Sequence, residues 1–389
     1  MINSIQAEIQ IELEDMDEED WDRFHDGAFD RYRDPKESES DSHSSEDKNS
    51  DDDLDIYSDD DGAFTPVSMD VKKLIQKLDV LLDILFRHAR AKLDKGDKSL
   101  FECFLMAFNS LILPTHRLRC TQFLIFYTSS LDSAFPDDFM GLLASRIFDS
   151  GQPTGIRISA AAYLASFIAR ARFVDSSAVR TCLRLLVQYA VSYLDDHDSH
   201  VTPQNIGKHG VFYAVTQAVL YIACFRWSCI TDSDTPQGQL PPSLTGIQRL
   251  LTSKLSPFKV CASHIVDEFA RITHSAGVLY CYPFMSKDGN SKWRHIDDSK
   301  AVSILASIKT PEGSQSNVKT AQVPATGNLS LLILDRLDTC FPFDPLTLPT
   351  SKKYVADLYQ EWDAGDSDSD DDAGLDAIDY NLSGTSIED

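Results

Sequence analysis

Residues 157–174 read RISAAAYLASFIARARFV, and the spacing of their apolar side chains decides the fold class. Around this stretch Ile158, Ala161, Leu164, Ala165 and Ile168 recur at steps of three and four residues. That period lines one side of an α-helix, whereas a half-buried strand requires strict alternation. Moving toward the C-terminus, the period returns in Val179, Leu183, Leu186, Val187, Ala190 and Leu194, and again in Val211, Val215, Ala218, Val219, Ile222 and Phe225. Moving toward the N-terminus, it returns in Val71, Leu74, Ile75, Leu78, Leu81, Leu82 and Leu85. Each segment predicts an amphipathic or largely buried helix.

Helix-breaking residues fall between these segments. Pro114-Thr115 separates 100–113 from 116–131, and Pro136 suits the first turn of a helix, where a missing N–H costs nothing. Gly151, Pro153 and Gly155 divide two more segments. Asp175 or Ser176 is placed to cap the helix that follows, and Ser256 stands before Pro257 in the same sense. The expectation for 67–362 is about nine or ten helices of roughly 12–20 residues with short connections. Antiparallel helix pairs of this kind bury one face on the pair before and one on the pair after, as in an α-solenoid. No fixed repeat period is evident, and pair lengths near 40 residues suit HEAT-like units. Residues 286–328 are polar and turn-rich and read as an irregular insertion, after which 329–360 return to apolar, helical character.

The flanks differ from this body. Residues 1–66 carry 24 acidic and 5 basic side chains, and 361–389 carry 11 acidic and none basic. The formal net charge of −25 therefore belongs to the flanks, and the middle is mildly basic, at about +5. Residues 1–13 alternate (Ile5, Ala7, Ile9, Ile11, Leu13) and read as a short strand or extended edge. The remainder of 1–66 and the tail 363–389 are expected to be disordered, because they bury too little apolar area to offset chain entropy. The acidic segment is expected to act as a reversible shield, its charge folding over the basic rim and competing with nucleic acid.

Enzyme chemistry has no visible footing. There is no phosphate-binding glycine loop, no dinucleotide fingerprint and no His-Glu-x-x-His. The ten His residues stand apart, the acidic runs lack calcium-loop spacing, and the eight Cys include no Cys-x-x-Cys pair. No cofactor is expected. Residues 1–20 show no signal-peptide pattern, and the longest apolar stretches are interrupted and shorter than the ~20 residues that span a bilayer. No membrane partner is expected either.

Candidate contact residues are the basic side chains of the body: His116, Arg117, Arg119, Arg170, Arg172, Arg226, Lys254, Lys259, Lys352 and Lys353. For any one of them the reading as a solvated helix end or rim, favoured by the helix dipole, is the stronger. Ser38, Ser44, Ser50, Ser58, Ser367 and Ser369 each have an acid three positions later, the spacing that acidophilic kinases select. Phe341-Pro342-Phe343-Asp344-Pro345 reads as a packed connection in preference to an exposed docking element, and Phe167 and Phe173 read as core.

Five stretches carry more than composition: LILPTHRLRCTQFLIFY (111–127), RISAAAYLASFIARARFV (157–174), HGVFYAVTQAVLYIACFRW (209–227), RLLTSKLSPFKVCASHIVDEFARI (249–272) and FPFDPLTLPTSKKYVADLYQEW (341–362). In content, order and spacing they resemble the RNA polymerase I-specific transcription initiation factors of the TIF-IA type. The resemblance covers 69–362, and the acidic run at 1–66 is similar to the acidic loop that interrupts that family's helical array. It implies a non-enzymatic HEAT-repeat adaptor of the nucleus and nucleolus that joins RNA polymerase I to the promoter-bound core factor at ribosomal DNA. It also implies that the helices carrying the family's polymerase-facing serine patch are missing here, so that core-factor binding is better kept than polymerase binding. A second copy of the chain and weak DNA contact through the basic rim are further candidate partners. A transport or scaffold solenoid of the importin sort fits the repeats and the acidity, but not the five stretches.

Overall fold

The computed structural model describes residues 2–6, 9, 66–115, 118–197, 208–231, 238–285, 337 and 341–362. The Ala-rich stretch at its centre is a helix, as its period requires. From Pro66 onward the described helices are α1 (Pro66–Leu93), α2 (Ser99–Ala107), α3 (Phe123–Ser129), α4 (Phe135–Phe148), α5 (Thr154–Arg170), α6 (Ser176–His197), α7 (Gly210–Phe225), α8 (Trp227–Ile230), α9 (Ile247–Thr252) and α10 (Ser263–Ser275). A π-helical turn, Phe108–Ile112, prolongs α2. Among the described residues there is no strand, only one isolated antiparallel bridge between Ala171 and Tyr359. The chain is all-α, a helical-repeat array.

Local chemistry sets the helix ends. Pro136 occupies the first turn of α4. Asp175, and not Ser176, caps α6, its carboxylate accepting the Ser177 N–H at 2.9 Å. Ser256 departs from expectation: it adopts φ 45°, makes no capping bond, and Pro257 opens only a short 3-10 turn.

The array is built around α5 and α7. Twelve of the 17 residues of α5 and 14 of the 16 of α7 are buried, so neither helix keeps a solvent face. They pack most extensively on each other; α4 lies against α5, and α6 and α10 lie against α7. Ala162 and Ala165 of α5 face Ala214 and Ala218 of α7 across the seam. Short side chains let the two backbones approach closely, and the packing leaves little void. At the other end, α1 meets α2 and α3.

Three segments differ from their sequence reading. Residues 2–6 are helical and not extended, and Ile5 and Ile9 join the common core. Gln6 explains the anchorage: its Oε1 accepts the Thr121 hydroxyl at 3.1 Å. In 116–131 the described helix is only Phe123–Ser129, because the Gln122 side chain, donating to Leu118 O at 2.9 Å, holds the preceding residues in a turn. Residues 341–362 are not a regular helix but a strap with two 3-10 turns, Ser351–Tyr354 and Ala356–Leu358. Pro342, Pro345 and Pro349 supply the reason, since each lacks an N–H and disfavours helix in the residue before it.

The strap crosses the array and returns. Phe343 is fully buried, with its ring 5.6 Å from Phe123, 5.2 Å from Phe126 and 5.8 Å from Tyr163. Thr350 and Ser351 then reach α1, and Gln360 returns to α5, its N–H donating to Arg170 O at 2.6 Å. Phe341-Pro342-Phe343 is thus a packed connection, and Phe167 and Phe173 belong to the core or pack against it. The insertion 286–328, the acidic run 14–65 and the tail 363–389 lie outside the described residues.

Candidate protein-interaction surface

Two of the ten basic candidates are not on the surface. Arg170, the last residue of α5, is 7% exposed; its guanidinium lies over the Phe225 ring at 4.4 Å and the Tyr359 ring at 5.1 Å. It donates to Gln360 O at 3.3 Å and stands 4.0 Å from the Asp344 carboxylate. Arg226 is 6% exposed and donates to Ala171 O at 3.2 Å and Val174 O at 2.8 Å. Arg226 binds carbonyls just beyond the C-terminus of α5, where the helix dipole and the orphan acceptors favour positive charge, and Arg170, the last residue of that helix, binds a carbonyl of the strap. They are internal braces that join α5, α7 and the strap. The sequence reading of Arg170 and Arg226 as partner contacts is corrected accordingly.

Arg119, Arg172, Lys254, Lys259, Lys352 and Lys353 are exposed. His116 and Arg117 lie outside the described residues, as do all six candidate serines. The exposed cations do not form one cluster. Lys259 borders an open hollow of about 250 Å³ lined by Leu251, Ser253, Ser256, Phe258 and Phe284. Lys353 lies across the array beside α1, 3.0 Å from the Asp83 carboxylate, which also holds Arg87 at 2.7 Å. Hydrogen bonds from Lys353 and Tyr354, with the nearby charge of Arg87, hold the Asp83 carboxyl below its ordinary range, while partial burial opposes them. One carboxylate thus serves two cations.

The interior offers little to a small ligand. The α5–α7 seam encloses about 20 Å³, roughly one water, between Ile158, Ser166, Gln217 and Tyr221. Gln217 is occupied on both sides, donating to Leu337 O at 2.6 Å and accepting the Ala262 N–H at 2.9 Å. Burial pushes the Cys120 thiol up to about 12 and the Cys182 thiol up to about 11, so both are protonated and poor nucleophiles at neutral pH. Among the described residues no cluster of three or more His, Cys, Asp or Glu could hold a metal, and no helix is long and apolar enough to cross a membrane.

The sequence reading missed the exposed apolar side chains. Among the described residues these are Val80, Ile84, Met106, Leu111, Leu185, Tyr280, Tyr282 and Trp362, half of them on α1 and the α2–π segment. A signal existed for two of them, since Val80 and Ile84 lie four apart and off the stripe that forms the core face of α1.

An array of stacked helices, closed by its own strap, defines a helical-repeat protein. The chain belongs to the family described as RNA polymerase I specific transcription initiation factor RRN3, whose model matches residues 2–366. It is 30% identical over 308 residues to the RNA polymerase I-specific transcription initiation factor rrn3 of Schizosaccharomyces pombe, a match covering 77% of this chain and 45% of that protein. It is 32% identical over 301 residues to the factor RRN3 of Mus musculus, covering 75% and 42% respectively. The crystal structure of RNA polymerase I transcription initiation factor Rrn3 shares the fold, with TM-score 0.61 and 24% identity, over 75% of this chain and 56% of that one. The chain spans somewhat less than half the length of these two curated relatives.

Proposed function

We propose that this chain serves RNA polymerase I initiation as a non-enzymatic adaptor, bridging the polymerase and the promoter-bound core factor in the nucleus, within the nucleolus. The observation that carries the reading is the family match, which runs across the acidic segment, the helical array and the strap alike. The geometry agrees with it: the interior is filled by side chains, and the outward faces are left for partners. Arg119, Arg172, Lys254, Lys259, Lys352 and Lys353 are the proposed contact cations, with His116 and Arg117 beside the first of them in sequence. Weak DNA contact through these rims, self-association, and phosphorylation of Ser38, Ser44, Ser50, Ser58, Ser367 or Ser369 are subsidiary parts of the same proposal.

The test is a pull-down with the full chain as bait and purified core factor and RNA polymerase I as separate prey. Retention of core factor above a helical-repeat control, with weaker retention of polymerase, is the expected outcome. Retention of neither by a chain with an intact helical circular-dichroism spectrum refutes the adaptor reading.

A further inference from the structure

The last turn of α6 and the first turn of α7 meet around one tyrosine. Tyr193 engages two imidazoles, each at its Nδ1. His197 Nδ1 donates to Tyr193 O at 2.9 Å, and the His197 ring stacks on the Tyr193 ring at 4.1 Å. The Tyr193 hydroxyl meets His209 Nδ1 at 2.9 Å, and the His209 ring stands nearly perpendicular to both of the others. Phe212, in the first turn of α7, stacks on Tyr193 at 5.3 Å. His209 immediately precedes α7. The cluster therefore ties the end of one helix to the start of the next, across residues 198–207, which lie outside the described residues.

This arrangement suits a neutral His209. Burial raises the Tyr193 pKa, so the phenol keeps its proton and donates it to the Nδ1 lone pair. A protonated His209 has to reverse that bond and hold a charge in an unfavourable place. Burial chiefly, then His197 and Lys208, keeps its pKa below the ordinary histidine value. His209 also stands at the N-terminus of α7, where the helix dipole is already positive. The surrounding elements bring no free anion among the described residues that act on it. From α6, Asp195 and Asp196 are exposed, and Asp195 is paired with Arg249 of α9 at 2.6 Å. Arg157 of α5 donates to Tyr189 of α6 at 2.8 Å. Tyr213 of α7 donates to Leu255 O at 3.0 Å, and the Cys261 thiol donates to Tyr213 O.

We propose that Tyr193, His197 and His209 form a proton-sensitive clasp, closed while His209 is neutral, which releases the start of α7 from the end of α6 when His209 takes up a proton. The opened junction binds that proton more readily than the closed one. The closed population is therefore full above the free-imidazole pKa of about 6.5 and declines as pH falls below it, toward the lower folded-state value. The apolar packing of α5, twelve of whose residues are buried, does not titrate and stays closed.

Hydrogen–deuterium exchange of the full chain at about pH 7.5 and about pH 5.5, corrected for intrinsic rates, tests the clasp. Peptides covering 189–197 and 209–216 should exchange at least about threefold faster at the lower pH, while those covering α5 keep their rates. His209→Gln, whose amide oxygen can accept the Tyr193 hydroxyl, should leave the junction equally slow at both. His274→Gln, at an exposed histidine of α10, should leave the pH dependence as in the wild type. The wild-type chain gives a second readout that needs no variant to fold: by NMR, the His209 imidazole should titrate below about 6.5. Junction exchange that is the same at the two pH values, equal acceleration of α5, a pH dependence that survives His209→Gln, or a His209 titrating at or above about 6.5 overturns the proposal.

Discussion

The carboxylate of Asp79, on α1, accepts the backbone N–H of Ser351 at 2.8 Å, joining residues 272 positions apart. The same carboxylate takes the Thr350 N–H at 2.8 Å, and the Ser351 hydroxyl donates to Asp79 O at 3.0 Å. Asp79 is 4% exposed and Ser351 fully buried. The strap is therefore fastened to the first helix of the array by a buried carboxylate that caps a 3-10 turn.

Asp79→Ala should destabilise the chain by about 2–3 kcal/mol, because it takes the carboxylate acceptor from two strap N–H groups, that of Ser351 being buried. Asp79→Asn, which keeps one acceptor oxygen, should cost less. Chemical denaturation of the three proteins measures the order; equal stability of wild type and Asp79→Ala shows that the fastening carries no weight.

Asp83, one turn further along α1, gives a pH signature. Its folded-state pKa lies below the ordinary value, chiefly through the Lys353 hydrogen bond. The stabilisation is therefore present above the unfolded-state pKa of about 4 and is lost as pH falls through the lower folded-state value. The stability gap between wild type and Asp83→Asn should be constant from neutral pH down to about pH 5 and should close below about pH 4. A gap that widens on acidification contradicts the assignment.

Arg226, through its bond to Ala171 O, and Arg172, by its place in the chain, both stand at the C-terminal end of α5 and differ in role. Arg226→Ala should cost about 2–4 kcal/mol, since Ala171 O and Val174 O lose a buried charged donor. Arg172→Ala, at an exposed side chain, should stay within about 0.5 kcal/mol. Thermal melts of the two variants in one buffer distinguish an internal brace from a rim cation.

Phe343→Ala should cost about 3–5 kcal/mol through the cavity left among Phe123, Phe126, Tyr163 and Phe167. Binding of partners by the fraction still folded should be unaltered. Loss of partner binding at full stability would instead mark Phe343 as a docking residue.

What was legible in the sequence was whatever depends on period. The core faces of α5, α6 and α7 follow from spacings of three and four, and the proline and Asp175 boundaries follow from local backbone chemistry. The family, too, was legible in five contiguous stretches. Burial of charge was not: Arg170 and Arg226 read as surface cations because nothing local says that a strap 190 residues away will cover the end of α5. Residues 341–362 misled for a related reason. Their apolar content matched a helix, but it is spent on contacts distant in sequence, while three prolines keep the backbone extended. Residues 2–6 reversed the error: alternation over a few residues suggested a strand, and a tertiary contact through Gln6 accompanies a helix. The exposed Val80 and Ile84 of α1 were hidden by the stronger stripe on its other side.

Hydrogen–deuterium exchange of the full chain, free and saturated with purified core factor, tests the adaptor account most directly. The expected result is added protection on outward segments that carry the exposed cations, with α5 and α7 already slow to exchange and unchanged. Absence of any newly protected segment at saturation, or rapid exchange throughout α5 and α7 in the free chain, contradicts it.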